Sequence, residues 1–127
     1  MKKITRAEAI QLLKRFIELE LPKKFWFSKI RKHIKAIVFY GSTAKQLNRS
    51  DSDIDILIFV PLKIEEKYTK GEYFYKFEDR EINIVLRSIE RLKKLSKERD
   101  DSEKEVFRNC EILFEGEGEV RGLIKKI

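Results

Sequence analysis

Apolar residues recur at helical spacing through residues 5–20 of the chain. A Thr5-x-x-Glu capping box opens this stretch and a proline closes it, so we predict a helix there. A second, shorter helix is predicted over residues 22–33. Its Phe25-Trp26-Phe27 cluster cannot all face one core. The cluster therefore either straddles two packed elements or leaves part of itself as an exposed contact patch.

The middle of the chain is predicted to form strands, because short apolar runs there are bounded by turn residues. The predicted strands cover about residues 35–40, 53–60, 73–77, 81–86 and 111–114. The run over 53–60 is apolar on both faces, which is typical of a central strand. Ser88 is in position to begin another helix. This order of elements predicts an α+β fold with a mixed β-sheet covered by helices.

Polar residues with possible chemistry concentrate between the first two predicted strands. Gly41-Ser42 forms a turn after the first strand, and Asp53 and Asp55 open the second. Side chains at positions i and i+2 of a strand point the same way, so the two carboxylates share one face. Two like charges at the mouth of a buried strand are costly unless a cation neutralises them. Mg²⁺ suits this role, because it binds to a few carboxylates together with substrate phosphates.

The segment resembles the signature of the DNA polymerase β-like nucleotidyltransferase superfamily, which is Gly-Ser, a spacer and Asp-x-Asp. It is most similar to the small minimal nucleotidyltransferases of prokaryotes. The matching residues are Gly41, Ser42, Ala44, Asp51, Ser52, Asp53, Ile54 and Asp55. The resemblance implies a catalytic core over about residues 33–115, preceded by N-terminal helices over 1–33. We expect residues 1–127 to form one domain.

The resemblance implies a Mg²⁺-dependent transfer of a nucleoside monophosphate from a nucleoside triphosphate to an unknown acceptor, with release of pyrophosphate. Asp53 and Asp55 would hold the metal, two ions in all, one of them carried with the triphosphate. The nucleotide-binding residues that it implies are Gly41, Ser42, Lys45 and Arg49.

The family's third carboxylate lies on a later strand, and here the corresponding position carries Asn83. Asparagine is neutral and cannot act as a general base. Glu81 precedes it by two residues on the same strand face and could supply the missing carboxylate. The catalytic set is therefore Asp53, Asp55, Glu81 and Asn83. Two alternatives stay open: the site turns over slowly or not at all, or Glu81 and Asn83 are only the polar face of a hairpin.

The net charge and the composition limit which ligands and which cellular location are expected. The net charge is +7: residues 1–49 carry 13 Lys/Arg against 3 Glu, and residues 50–127 carry 16 against 19 acidic residues. The basic half would attract a triphosphate or a nucleic acid, although no nucleic-acid motif supports the latter. One cysteine excludes an internal disulfide framework, and no apolar run is long enough to span a membrane. A cytoplasmic location is expected.

Two further interpretations of the sequence stay open. The chain could be a nucleotide-binding or partner-binding module of the same fold, because some small members of the family resemble antitoxins that pair with a helical partner. The aromatic cluster at residues 25–27 would suit such pairing. The other interpretation is a homodimer, in which a second copy of the chain completes the site. So small a chain lacks an obvious acceptor-binding domain of its own.

Overall fold

Five strands form one mixed sheet in the computed structural model, which describes residues 2–68, 72–98 and 101–127. The strands are β1 (Ala36–Tyr40), β2 (Ile54–Val60), β3 (Glu72–Phe77), β4 (Arg80–Ser88) and β5 (Glu111–Glu115). Their order across the sheet is β3-β4-β2-β1-β5. The β2–β4 pair is parallel and the other neighbours are antiparallel. The predicted α+β fold is confirmed, and β2 is the central strand, as its two apolar faces indicate.

Helices lie on both faces of the sheet in the described part of the chain. They are α1 (Arg6–Leu19), α2 (Phe25–Ile30), α3 (Leu62–Lys67), α4 (Ile89–Lys97), α5 (Asp101–Lys104) and α6 (Glu119–Lys125). The predicted capping box at Thr5 is present, with bonds in both directions to Glu8. The predicted helix over 22–33 is broken into α2 and two flanking 3₁₀ turns. None of the described helices has the length and apolar character that crossing a membrane requires.

The alternation of side chains along β2 separates two apolar cores. Ile54, Ile56 and Ile58 pack on one face of the sheet, in the core that includes buried residues of α1 and α2. Leu57 and Phe59 point to the other face, where α4 and α6 cover them. Because both cores are apolar, β2 is held rigidly between them. The face that carries Leu57 also carries Asp55, since the two positions are two residues apart.

The aromatic cluster at residues 25–27 is partly packed and partly exposed, so each of the two predicted alternatives holds for part of it. Phe27 is buried, and the Trp26 ring stacks on Tyr73 of β3 with centroids 4.0 Å apart. The Trp26 indole nitrogen also donates a hydrogen bond of 2.6 Å to the Tyr75 hydroxyl. Phe25, in contrast, is 75% exposed. The cluster therefore ties α2 to β3 and leaves one aromatic ring in solvent.

The turn between β3 and β4 fixes the register of the site strands. Glu78 and Asp79 both have positive φ angles, 49° and 63°, and they connect the directly paired residues Phe77 and Arg80. Two such residues are what a type I′ hairpin turn requires. This short turn sets the pairing of β3 with β4, and β4 then pairs in parallel with β2.

Candidate functional site

A row of four side chains crosses the sheet at the level of Asp55. Tyr40 of β1 and Asn83 of β4 are its direct partners, and Phe74 of β3 is paired with Asn83. Directly paired residues on neighbouring strands point to the same face of a sheet. The structure therefore places Asn83 next to Asp55, 28 residues away in the chain. Phe74, at the end of the row, is 66% exposed.

The Asn83 amide is bonded on one side only. Its Nδ2 donates a long hydrogen bond of 3.4 Å to Asp55 Oδ1. Its Oδ1 is buried and has no hydrogen-bond partner in the described part of the chain. A buried oxygen without a donor is unusual in a folded protein, because such a group loses its hydration without compensation. The row therefore contains an acceptor atom whose bonding capacity is unused.

Asp55 has an unusual electrostatic environment. Burial raises its pKa from 3.8 to about 6; the hydrogen bond from Asn83 opposes this shift, and the nearby negative charge of Asp53 adds to it. Asp53 lies one residue before β2, so both carboxylates stand at the strand entrance. Among the described residues, no Lys or Arg forms an ion pair with either of them. No described basic side chain therefore neutralises the charge at this point.

The donor atoms here suit a hard cation. They are the Asp53 and Asp55 carboxylates together with the unpartnered Asn83 oxygen, and Mg²⁺ prefers oxygen ligands. Within the described residues, no group of three or more His, Cys, Asp and Glu side chains could enclose a metal. The set is therefore incomplete by itself and fits a metal that brings further oxygen ligands, such as substrate phosphates.

Gly41 directly follows β1 and lies against the Asp55 carboxylate. Its φ angle is 87°, which glycine adopts readily. A Cβ at this position would collide with Asp55 Oδ2. The chain then makes one helical turn, in which the Lys45 N–H donates to the Gly41 oxygen at 3.1 Å and the Leu47 N–H to the Ser42 oxygen at 2.8 Å.

Buried polar side chains fix the loop over residues 41–52. Thr43 is fully buried, and its hydroxyl donates to the Asp53 main-chain oxygen at 3.4 Å. Asn48 is also buried, and its Nδ2 donates to the Ile4 main-chain oxygen at 2.9 Å. These contacts hold the loop against Asp53, just before β2, and against the N-terminal segment. The roles of Thr43 and Asn48 cannot be predicted from a motif, since their partners are main-chain atoms.

Arg80 is a further anchor of the loop, and no motif in the sequence indicates it. Its guanidinium donates to the Ser50 oxygen at 3.2 Å and to the Lys2 oxygen. One side chain thus joins the end of the loop, the start of β4 and the N-terminus.

The two predicted phosphate-binding cations are not placed alike. Lys45 is only 16% exposed, and its Nζ lies 3.8 Å from Glu105 Oε1. Arg49 is exposed, and its main-chain N–H donates to Ser52 Oγ at 2.7 Å. In the described structure neither side chain pairs with Asp53 or Asp55. Both cationic side chains therefore lie beyond ion-pair distance of the two carboxylates.

Glu81 lies at the edge of the site. It is exposed, it shares a face with Asn83, and the β2–β4 register puts it level with Asp53. Its direct partner on β3 is Lys76. The structure therefore brings Gly41, Asp55 and Asn83 into contact and leaves Glu81 one level farther along the strand.

The comparisons with known proteins agree with this arrangement. The family model of the nucleotidyltransferase domain matches residues 23–115, which include all five strands and the loop over 41–52. A comparison with curated proteins finds no match to the chain. The resemblance to the polymerase β-like superfamily is confirmed by the family match.

Proposed function

Because the chain belongs to the nucleotidyltransferase domain family, we propose that it transfers a nucleoside monophosphate from a nucleoside triphosphate to an acceptor. The observation that carries the proposal is the contact of Gly41 with the Asp55 carboxylate, beside Asp53 and Asn83. It joins a glycine turn, which leaves room for a phosphate chain, to a carboxylate pair that has no Lys or Arg partner among the described residues. A cytoplasmic location and a single domain over residues 1–127 stay predictions.

The chemistry is a displacement at phosphorus. An acceptor oxygen or nitrogen forms a bond to the α-phosphorus, the bond from that phosphorus to the bridging oxygen breaks, and pyrophosphate leaves with the electron pair. The acceptor's proton passes to a carboxylate or to water. Positioning and neutralisation of charge account for most of the catalysis in such transfers.

The loop over 41–52 is the proposed triphosphate site. Gly41 lets the main chain approach the phosphates, because it carries no side chain. Ser42 follows it directly and is partly exposed, so its hydroxyl and N–H are the proposed donors to the phosphate oxygens. Lys45 and Arg49 would neutralise phosphate charge from the same loop.

Asp53 and Asp55 are the proposed ligands of Mg²⁺, with the Asn83 oxygen as a weaker, neutral one. When bound, the metal would neutralise phosphate charge and orient the triphosphate. Whether one or two ions bind depends on the third carboxylate. Glu81 is the proposed source of it and also the proposed proton acceptor. Its long side chain starts one level away from Asn83 on the same face.

Asn83 favours a second candidate function. A site with an amide at the third position has one negative charge fewer than a site with three carboxylates, and the metal that activates the acceptor would bind weakly. The chain would then be a nucleotide-binding or partner-binding module, like the antitoxin-type members of the family. The exposed Phe25 ring would suit a helical partner protein or a second copy of the chain.

Thermal unfolding with nucleotide and metal tests the proposal. ATP with Mg²⁺ should raise the melting temperature of the wild type by mass action, and ATP alone should raise it much less. The Asp53→Asn variant should lose the Mg²⁺-dependent part of the shift. Asp51→Asn, an exposed carboxylate in the same loop, is the matched control. Release of pyrophosphate separates the transferase from the binding module, and a wild type without any Mg²⁺-dependent shift would contradict both.

A further inference from the structure

A pocket of about 400 Å³ opens on the sheet face that carries Asp55. Leu57 and Phe59 of β2 line it, and these are the next two positions after Asp55 on that face. Because a strand rises about 3.3 Å per residue, the floor begins roughly 7 Å from Asp55. Tyr40, the direct partner of Asp55 on β1, lines the end of the pocket nearest the carboxylates. The pocket is therefore contiguous with the proposed site of phosphoryl chemistry.

The walls of the pocket are apolar and come from separate elements. Leu92 and Leu95 project from α4, and Val106 and Phe107 come from the 3₁₀ turn Glu105–Phe107. The Phe107 ring stacks with that of Phe59, with centroids 6.2 Å apart. A volume of this size and an apolar lining are typical of sites for small molecules.

Two arginines give the pocket a positive side. Arg87 of β4 is exposed, and Arg91 of α4 keeps 65% of its side chain in solvent although it pairs with Glu65 at 3.1 Å. In the described structure Arg87 forms no ion pair; its guanidinium donates to the Leu86 oxygen at 3.0 Å. Guanidinium groups at the edge of an apolar pocket complement a carboxylate, sulfonate or phosphate group.

We propose that this pocket binds the acceptor, a small molecule with an apolar body, an anionic group and a nucleophilic hydroxyl or amine. The inference rests on the proposed function. The anionic group would face Arg87 and Arg91, and the nucleophile would point along β2 toward Asp55. The triphosphate has its own cations, Lys45 and Arg49, on the loop over 41–52. A nucleobase carries no anionic group that would use two further arginines, which favours the acceptor over the base as the occupant.

The pocket is also connected to the nucleotide loop. Lys45 Nζ of the loop lies 3.8 Å from Oε1 of Glu105, the first residue of the turn that supplies Val106 and Phe107, and Arg108 pairs with the same oxygen at 2.8 Å. A triphosphate that draws Lys45 toward itself would act on this pair and hence on the pocket wall. Binding of nucleotide and of acceptor is therefore expected to be coupled, with both bound at once.

The probe for this test is 1-anilinonaphthalene-8-sulfonate, which has an apolar body and one anionic group. Its affinity is measured by calorimetry for the wild type, Arg87→Gln and Val106→Trp, the last of which fills the pocket mouth. Each variant should weaken binding by roughly 10-fold, the effect of losing one charge-assisted bond or the apolar space. The matched controls are Lys94→Gln on the exposed side of α4 and Leu19→Trp on α1, and both should bind as the wild type does.

A second titration assigns the pocket to acceptor or nucleotide. The probe is titrated with and without saturating Mg²⁺ and α,β-methylene-ATP, which cannot release pyrophosphate. Simultaneous binding supports the acceptor assignment. Mutual exclusion would assign the pocket to the nucleotide, and equal affinities in all variants would mean that the probe binds elsewhere; either result overturns the proposal. If the wild type binds the probe in the pocket but no nucleotide, the proposed function fails and the acceptor assignment fails with it, while the pocket remains a binding site.

Discussion

Gly41 and Asp55 are packed so closely that a side chain at position 41 would occupy the space of the Asp55 carboxylate. The glycine also has a φ angle of 87°, which other residues adopt at a cost. Two independent constraints therefore act on this position, one from the main chain and one from the neighbouring strand. The effect of main-chain strain can be measured by itself in this chain, because Gly118 has the same kind of φ angle and nothing within 4 Å of an added Cβ.

The first prediction compares alanine substitutions at Gly41 and Gly118. Gly41→Ala should lower the free energy of unfolding by about 1–2 kcal/mol through main-chain strain, and by more through the collision with Asp55. It should also remove most of the Mg²⁺-ATP-dependent thermal shift, since the carboxylate is displaced. Gly118→Ala should show the strain alone and keep the shift. Equal loss of nucleotide binding in both variants would show that the contact with Asp55 is not responsible.

The second prediction concerns pH in the absence of divalent metal. Burial raises the pKa of Asp55 to about 6, so between about pH 4 and 6 the folded state binds more protons than the unfolded state. The contribution of Asp55 to stability therefore falls as the pH rises through this window and stays unfavourable above it. Asp55→Asn should be more stable than the wild type at pH 7.5 and differ little at pH 4. Chemical denaturation in EDTA measures this, with Asp51→Asn as the control that should follow the wild-type profile.

The third prediction distinguishes the two polar residues of β4. Asn83→Asp places a carboxylate beside Asp55, which should destabilise the metal-free protein and raise the transfer rate, by the roughly 10²–10⁴ of a positioned acid–base group. Pyrophosphate release measures the rate. If Glu81 already supplies the third carboxylate, Glu81→Ala should abolish activity and Asn83→Asp should change little. Full activity in both Glu81→Ala and Asn83→Ala would place the third acid elsewhere.

The fourth prediction tests the anchors of the loop. Asn48→Ala removes the buried donor to the Ile4 oxygen and leaves that oxygen without a partner, at a cost of about 1–3 kcal/mol. The loosened loop should also bind Mg²⁺-ATP more weakly. Ser50→Ala changes an exposed side chain of the same loop and should alter neither property. Thermal unfolding with and without nucleotide gives both measurements, and an unchanged thermal shift in Asn48→Ala would separate loop anchoring from binding.

The features predicted from sequence are those encoded locally. The capping box at Thr5 and the apolar spacing that follows it determine α1, and the i, i+2 spacing of Asp53 and Asp55 with the Gly41 turn predicts the site. The position of Asn83 beside Asp55 followed from the family resemblance and agrees with the parallel register of β4. The roles assigned to these residues stay predictions.

The features that the sequence did not predict depend on distant contacts. Helix α6 contains a glycine and begins after another, and no helix is predicted there. It forms because Val120 packs on the sheet face that carries Leu57. Helix α3 is short and polar, and its buried Glu65 accepts a hydrogen bond from the Ser88 N–H. Propensity cannot indicate such contacts, since the partners are far apart in the chain.

The hydrogen bonds that hold the loop to the N-terminal segment have a consequence for comparing sequences. Asn48 and Arg80 donate to the main-chain oxygens of Ile4 and Lys2, so these contacts do not depend on which side chains occupy positions 2 and 4. The family match begins at residue 23, beyond this segment. Relatives with unrelated N-terminal sequences could therefore form the same hydrogen bonds between that segment and their loop, and only a structure would reveal them.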